Sequence, residues 1–268
     1  MARINKTKII SNRRVAPDHF LVELDAPYLA RHAEPGQFVN VKVRSGEGGP
    51  LLRLPLGIHN IKKNRVSFLY KTVGTKTKLL SAKAKGETLD VLGPLGNSFD
   101  TSRAKSGAGR KALLVAGGHG VAPLFALARK LRLEKKEVEL FLGACDARHL
   151  LCVKEFKQLG IKARVATECG RAGARGYVTR VLSEYLAGNA EKAENFMIYA
   201  CGPKPMLAAV SAEAEKYGLS AEVSLDAYMA CGIGVCLGCA VRTVHGYKLV
   251  CKDGPVFDAR EIDWKSER

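Results

Sequence analysis

The sequence predicts an α+β multidomain protein, with an antiparallel β-barrel domain, then a parallel α/β domain, then a small C-terminal domain held by cysteines. Three observations carry this. Short β-prone runs alternate with turn residues from residue 7 to about 100, a strand–helix rhythm follows from residue 112, and a cysteine- and glycine-rich stretch closes the chain. A length of 268 residues leaves room for two domains and a small third, because single domains commonly run to roughly 100–200 residues.

In the first part the runs are Thr7 to Ser11, Phe20 to Leu24, Gln37 to Val43, Val66 to Lys71 and Thr88 to Leu92. Strands at this spacing fit a small antiparallel barrel. Pro35-Gly36, the segment from Gly46 to Pro50, and Gly93-Pro94 supply turn chemistry between them. The stretch Thr101 to Arg110, rich in small and basic residues, reads as a linker. Beyond it, the apolar runs Ala112 to Ala116, Val138 to Leu142, Ala163 to Ala166 and Phe196 to Ala200 are separated by helical patterns, as in a parallel sheet with crossover helices. One helix sets Leu124, Leu127, Ala128 and Leu131 on a single face, another Val178, Val181, Leu182 and Tyr185. From about Ser224 the strands are too short to bury a core, and that segment needs a staple. The expected domains are residues 1–104, 105–222 and 223–268.

Nearly half the residues, 47%, are apolar, and the chain has 27 glycines, which fits a folded α/β protein rather than a disordered one. No apolar run approaches the roughly 18–20 residues needed to cross a bilayer, and the N-terminus lacks an apolar signal core, so the expected location is the cytoplasm, with no membrane partner. In that compartment eight cysteines point to metal or redox chemistry before disulfides. The net charge of +17 raises nucleic-acid binding, but the basic residues are scattered and no nucleic-acid motif accompanies them. A surface steering an acidic protein partner or anionic cofactors is the preferred reading.

The strongest motif is Cys231-x4-Cys236-x2-Cys239, with Cys251 following after an interval. This is the plant-type [2Fe-2S] spacing. Three thiolates must converge on a small inorganic core, so the loop has to curl tightly and aim N–H groups at the sulfurs, and Gly232, Gly234 and Gly238 permit such turns. Four thiolates also suit structural zinc, but zinc knuckles usually pair two short clips, whereas here three ligands crowd one loop.

A second motif, Leu114-Val-Ala-Gly117-Gly118-His119-Gly120-Val121-Ala122-Pro123, is a strand entering a glycine turn and a helix. Such a turn offers backbone N–H groups and a positive helix end to a pyrophosphate, and Pro123 suits a first helical turn. Near the end of the same sheet stand Cys201, Gly202 and Pro203, again between strand and helix. Loops beyond the carboxyl ends of parallel strands build the ligand crevice, which makes Cys201 a candidate nicotinamide contact, against the commoner fate of a buried thiol. In the barrel, Arg53 to Ile58 and Val73 to Leu80 carry polar groups for a second phosphate-bearing ligand: Arg53 for a pyrophosphate, Thr75 or Thr77 for a helix cap. Gly93 to Phe99 turns the chain out of the barrel. The six histidines show no paired metal spacing, and Cys145, Cys152 and Cys169 read as packing thiols.

In order along the chain, these motifs resemble the ferredoxin-reductase superfamily. The run Met229 to Cys236 with Gly246 to Phe257 is similar to the electron-transfer subunits of NAD-dependent (type B) dihydroorotate dehydrogenase. That resemblance covers nearly the whole chain. It implies an FAD-binding barrel, an NAD-binding α/β domain and a [2Fe-2S] domain, in an oxidoreductase subunit that passes electrons between NAD(H), FAD, the cluster and an FMN-containing catalytic partner in a hetero-oligomer. It assigns Arg53, Pro55, Leu56, Gly57, Tyr70, Lys71, Thr75, Lys76 and Thr77 to FAD, and Gly117, Gly118, Gly120, Pro123, Gly202 and Pro203 to NAD(H). Cys201 takes the catalytic position, and Cys231, Cys236, Cys239 and Cys251 take the cluster. The sequence departs from the pattern twice. Leu54 precedes Pro55 where the family has arginine, with Gly57 in place of a hydroxyl residue, and Gly74-Thr75-Lys76-Thr77 replaces Gly-x-Gly-Thr. The displaced Arg53 is similar to the small subunit of the NADH-dependent reduced ferredoxin:NADP oxidoreductase, an electron-bifurcating relative and the runner-up. After the second parallel strand, Asp146 repels a 2′-phosphate while Arg148 attracts one, and the resemblance tips the reading to NAD. A rival of another class is a basic zinc-binding interaction module, which would be colourless and bind neither FAD nor NADH.

Overall fold

The computed structural model describes residues 1–44, 49–104 and 111–266. Most of the expected turn from Gly46 to Pro50 and the linker residues 105–110 lie outside the described residues.

The first sheet contains β1 (Arg3–Ala16), β2 (His19–Asp25), β3 (Phe38–Lys42), β4 (Leu54–Gly57), β5 (Asn60–Lys62), β6 (Arg65–Lys71) and β7 (Thr88–Leu95), with short helices α1 (Pro27–His32) and α2 (Thr75–Ser81). Its strands run antiparallel in the order β4-β3-β7-β1-β2-β6-β5, and β4 packs against β6 to close the sheet on itself. Alternate side chains such as Val22, Leu24, Val39, Val41, Phe68 and Tyr70 fill the interior. The sequence patterns miss β4 and β5. Pro55 sits inside β4, which a sheet tolerates because β4 is an edge strand whose proline need not donate outward.

The second sheet takes β8 (Lys111–Gly117), β9 (Val138–Ala144), β10 (Ala163–Thr167), β11 (Ala174–Arg175), β12 (Phe196–Cys201), β13 (Ser220–Ser224) and β16 (Val256–Asp258). Its order is β11-β10-β9-β8-β12-β13-β16, parallel except for β16, which runs antiparallel to β13. Crossover helices α3 (Val121–Leu133), α4 (Val153–Gln158), α5 (Val178–Ala187) and α6 (Lys204–Lys216) cover its faces. The expected helix face is buried throughout, Leu124, Leu127, Ala128 and Leu131 all packing with α4's Phe156 against β8 and β9. On the opposite face, Leu182, Leu207 and Val223 pack in one core with Cys239, Val241, Cys251 and Phe257. The C-terminal segment, which also forms the hairpin β14 (Ala240–Thr243) and β15 (Gly246–Leu249), is therefore seated on the sheet, and its last strand extends it.

Where the first sheet hands over to the second, Glu222 of β13 faces Asp258 of β16, and Arg103 lies 3.5 Å from the first and 3.3 Å from the second. Burial outweighs Arg103 and the Asp100 N–H, which donates to Glu222 at 3.0 Å, and pushes the Glu222 carboxyl from 4.5 up to about 7. The folded chain then keeps a proton that the unfolded chain releases, so this group's contribution to stability is largest below 4.5 and is lost as pH rises towards 7. Glu222→Gln is expected to raise Tm relative to the parent progressively across that window, measured by thermal scans at fixed ionic strength. A Tm difference independent of pH would contradict the assignment.

Candidate functional site

In the second sheet the chain winds outward through β8, β9 and β10, then returns to β12 and β13 on the other side of β8. This reversal leaves a crevice beyond the carboxyl ends of β8 and β12, the position where open α/β sheets bind ligands. Here the two strand ends pair Ala116 with Cys201. A cleft of about 940 Å³ opens there. Gly117, Gly118, His119, Gly120 and Pro123 line it from the β8–α3 turn, and Cys201, Gly202 and Pro203 from the β12–α6 turn.

Three of these glycines let the two turns interlock. A Cβ on Gly120 would lie 2.1 Å from the Cys201 carbonyl oxygen, one on Gly117 2.7 Å from Met206 Sδ, and one on Gly202 2.6 Å from Met206 Cε. Gly118 has φ +52°, a backbone state that favours glycine. Pro123 occupies the first turn of α3, where its missing N–H removes no helical bond. Burial pushes the Cys201 thiol up to about 12, helped by the Asp226 charge and opposed by Ser224, so it stands in the cleft as a neutral thiol rather than a nucleophile.

The barrel supplies the facing wall through Pro55, Leu56 and Gly57 of β4 and Leu69 of β6. Several residues expected at a flavin are engaged otherwise. Arg53 is anchored inside the barrel wall: its Nη1 donates to Asp90 Oδ1 at 2.7 Å and to the carbonyls of Asn40 and Asp90 at 3.3 and 3.2 Å, which neutralises the charge offered to a pyrophosphate. Tyr70 points into the core, 2% exposed, its hydroxyl donating to Asn12 at 3.0 Å and pushed up to about 12 by burial. The strand alternation puts its neighbour Leu69 on the cleft instead. Thr77 Oγ1 accepts from the Val73 and Gly74 N–H groups, each at 3.0 Å, so its hydroxyl closes the start of α2. Lys76 Nζ donates to the Arg53 carbonyl at 2.9 Å, and Lys71 and Thr75 are exposed outside the cleft lining.

Beyond β13 the cleft wall continues through Leu225, Asp226 and Met229 to the cysteine loop. There the backbone turns inward on its thiols. Cys231 Sγ accepts from the N–H groups of Ile233, Val235 and Cys236 at 3.3–3.4 Å, Cys251 Sγ from Gly234 at 3.1 Å, and Cys239 Sγ from Cys251 at 3.4 Å. Burial acts to raise Cys231, but these donors and the Cys236 thiol together hold it down at about 6, whereas burial and the neighbouring Cys239 push Cys251 up to about 12. Gly232 and Gly234 have φ of +67° and +82°, and a Cβ on Gly232 would lie 2.0 Å from Asn40 Nδ2. That approach lets the buried Asn40 of β3 donate to the Cys231 carbonyl at 3.0 Å, tying the loop to the barrel directly opposite Pro55 of β4.

The donor set fits a binuclear iron–sulfur cluster. Cys231 and Cys236 lie within hydrogen-bonding reach of each other, and so do Cys239 and Cys251. Among the described residues, no three of these four sulfurs are mutually within 4.8 Å. One tetrahedral zinc with Zn–S near 2.3 Å would bring all four to about 3.8 Å, whereas two irons take two thiolates each.

One grouping was not legible from spacing. Cys145, Asp146 and His149, just after β9, bring their ligand atoms within 4.8 Å of one another. Cys145 also lines the cleft beside Gly143 and Ala144, and Asp146 holds Arg148 at 3.0 Å.

Two stretches of the chain match known protein families. Residues 226–263 match the family described as the iron-sulfur cluster binding domain of dihydroorotate dehydrogenase B, and residues 114–212 match the oxidoreductase NAD-binding domain. The chain is 35% identical, over 99% of its length and 100% of the relative's, to the electron transfer subunit of dihydroorotate dehydrogenase B (NAD(+)) of Desulforamulus reducens. It is 39% identical to that subunit of a Geobacillus species, over 98% of its own length and 99% of the relative's. Among solved structures, the NADH-dependent reduced ferredoxin-NADP oxidoreductase superposes with a TM-score of 0.82 at 31% identity, covering 97% of this chain and 90% of the other. A ferredoxin NADP+ reductase from Neisseria gonorrhoeae shares the fold, with a TM-score of 0.67 at 15% identity, over 80% of this chain and 92% of that one. A cluster loop with paired thiols, a dinucleotide turn at the switch of a parallel sheet, and identity sustained along the whole chain place it in the family of electron transfer subunits of dihydroorotate dehydrogenase B (NAD(+)).

Proposed function

We propose that this chain connects NAD(H) to an FMN-containing catalytic subunit that oxidises dihydroorotate, working in the cytoplasm through FAD on the barrel and a [2Fe-2S] cluster on Cys231, Cys236, Cys239 and Cys251. The observation that carries this reading is one continuous cleft, whose wall runs from Pro55, Leu56 and Gly57 past the Gly117–Pro123 turn and Cys201 to Met229, two residues before the first cluster cysteine. Bound along it, the flavin supplies the conversion between two-electron hydride chemistry and the one-electron chemistry of the cluster.

The chain's own residues orient and insulate. The Gly117–Gly120 turn and the start of α3 hold the dinucleotide pyrophosphate, and Gly202 and Pro203 fix the facing turn. Cys201, uncharged in its buried position, offers polarisable contact to a nicotinamide without competing as a nucleophile. With Arg53 and Thr77 engaged inside the barrel, flavin binding falls to Pro55, Leu56, Gly57 and Leu69, with the backbone of β4 as the polar component. At the other end Cys236 is exposed amid Ile233, Val235 and Leu237, which are 52%, 73% and 65% exposed. An apolar rim of this kind around a redox centre suits a partner subunit that excludes water from the transfer path.

The test is an assay of the purified complex with dihydroorotate as donor and NAD+ as acceptor. Orotate formation dependent on this chain is expected. Reduction of ferredoxin and NADP with no dihydroorotate activity would instead favour the bifurcating reading, which the likeness to the ferredoxin-NADP oxidoreductase keeps in view.

A further inference from the structure

Away from the cluster loop, side chains of the types that bind metals meet where the barrel packs on the parallel sheet. After β9, His149 Nδ1 lies 2.8 Å from Asp146 Oδ1 and 3.3 Å from Cys145 Sγ. From β2, the His19 ring centre is 6.2 Å from that of His149 and 5.8 Å from that of His119. His19 is 4% exposed, and its Nδ1 donates to the Pro17 carbonyl at 2.6 Å, which leaves Nε2 with a free lone pair. Metal-ligating histidines use this outer hydrogen bond to fix ring and tautomer.

We propose that Cys145, Asp146 and His149, whose ligand atoms lie within 4.8 Å of one another, form an inhibitory site for zinc on the wall of the dinucleotide cleft, with His19, which lies outside that group, drawn in as the fourth ligand when the metal binds. One sulfur, two imidazole nitrogens and a carboxylate oxygen suit zinc, not magnesium or calcium. Binding releases the Cys145 thiol proton, and His149 ligates through Nδ1 in the tautomer that carries its hydrogen on Nε2. Two cations oppose the site. Arg148 pairs with the second Asp146 oxygen through a side chain 76% exposed and free to move to water, and Lys71 lies near His19. Cys145 lines the cleft with Gly143 and Ala144 at the carboxyl end of β9, the side where such sheets receive a ribose. Zinc there occupies dinucleotide space and ties β2 of the barrel to the β9 turn. The inhibition, though not the metal site, rests on the dinucleotide reading above.

The experiment adds zinc chloride to the assembled, flavin- and cluster-loaded complex, reading zinc K-edge X-ray absorption and NADH kinetics on the same samples. The expected result is one added zinc per chain in a shell of one sulfur and three nitrogen or oxygen atoms, with the apparent KM for NADH raised severalfold and kcat unmoved. Cys145→Ser is expected to remove the sulfur from that shell, and His149→Ala to remove the added zinc; circular dichroism checks that each variant is folded. An all-sulfur shell, or zinc uptake unchanged in His149→Ala, would overturn the site. The expected shell with an unaltered KM would overturn the inhibitory role while leaving the function of the subunit untouched.

Discussion

Cys251→Ser is expected to strip the chain of iron and acid-labile sulfide and to cut electron delivery to the partner subunit on the order of 100-fold or more, since even outer-shell changes at metal sites cost about 10–100-fold. Cys251 is 3% exposed and follows β15, apart from the three cysteines of the loop. Its Sγ accepts the Gly234 N–H at 3.1 Å, and its own N–H donates to Cys239 Sγ at 3.4 Å, so it completes one thiolate pair and anchors the loop from below. A serine hydroxyl is a harder, less acidic donor and leaves that pair with one thiolate. NADH oxidation by a small dye acceptor should survive, because the dinucleotide turns are built from β8 and β12. The check is iron and sulfide analysis beside the two assays. Full cluster content in the variant would show that Cys251 is not a ligand.

Gly120→Ala is expected to lower kcat/KM for NADH by about 100-fold, the scale of loss from misplacing reacting groups by an ångström. The added Cβ would sit 2.1 Å from the Cys201 carbonyl oxygen and 2.7 Å from the Gly202 N. Both are backbone atoms, so no side chain can swing away, and the two turns must part. Overpacking of this kind costs about 1–3 kcal/mol, which a chain of this size survives. Flavin and cluster absorption should therefore be retained while reduction by NADH slows. Wild-type reduction kinetics would contradict the placement of the dinucleotide at these interlocked turns.

The parts of this protein that sequence exposes are those in which local pattern and tertiary demand coincide. The period of Leu124, Leu127, Ala128 and Leu131 marks the buried face of α3, and the cysteine spacing marks the cluster loop because three ligands share one short segment. The flavin wall was less legible. Residues Arg53 and Thr77 have chemistry suited to phosphate, but in the fold that chemistry is consumed by Asp90 and by the Val73 and Gly74 N–H groups. Tyr70 and Leu69 are adjacent in sequence, and only the pairing of β6 with β2 decides which one faces the barrel core. Asn40 carried no signal at all, since its meaning comes from Gly232, far along the chain and in contact only after folding. The same holds for His19 of β2 and His149 of the turn after β9, which meet only where the barrel packs on the parallel sheet.

We propose that two pairs of thiolates hold iron and sulfide at the end of a path that begins at the NADH cleft. Electron paramagnetic resonance of the anaerobic complex, frozen after reduction by NADH, is the decisive readout. A spin-half signal of a reduced [2Fe-2S] centre, at about one spin per chain, is the expected result. A silent spectrum from protein carrying stoichiometric zinc in an all-sulfur site would contradict it.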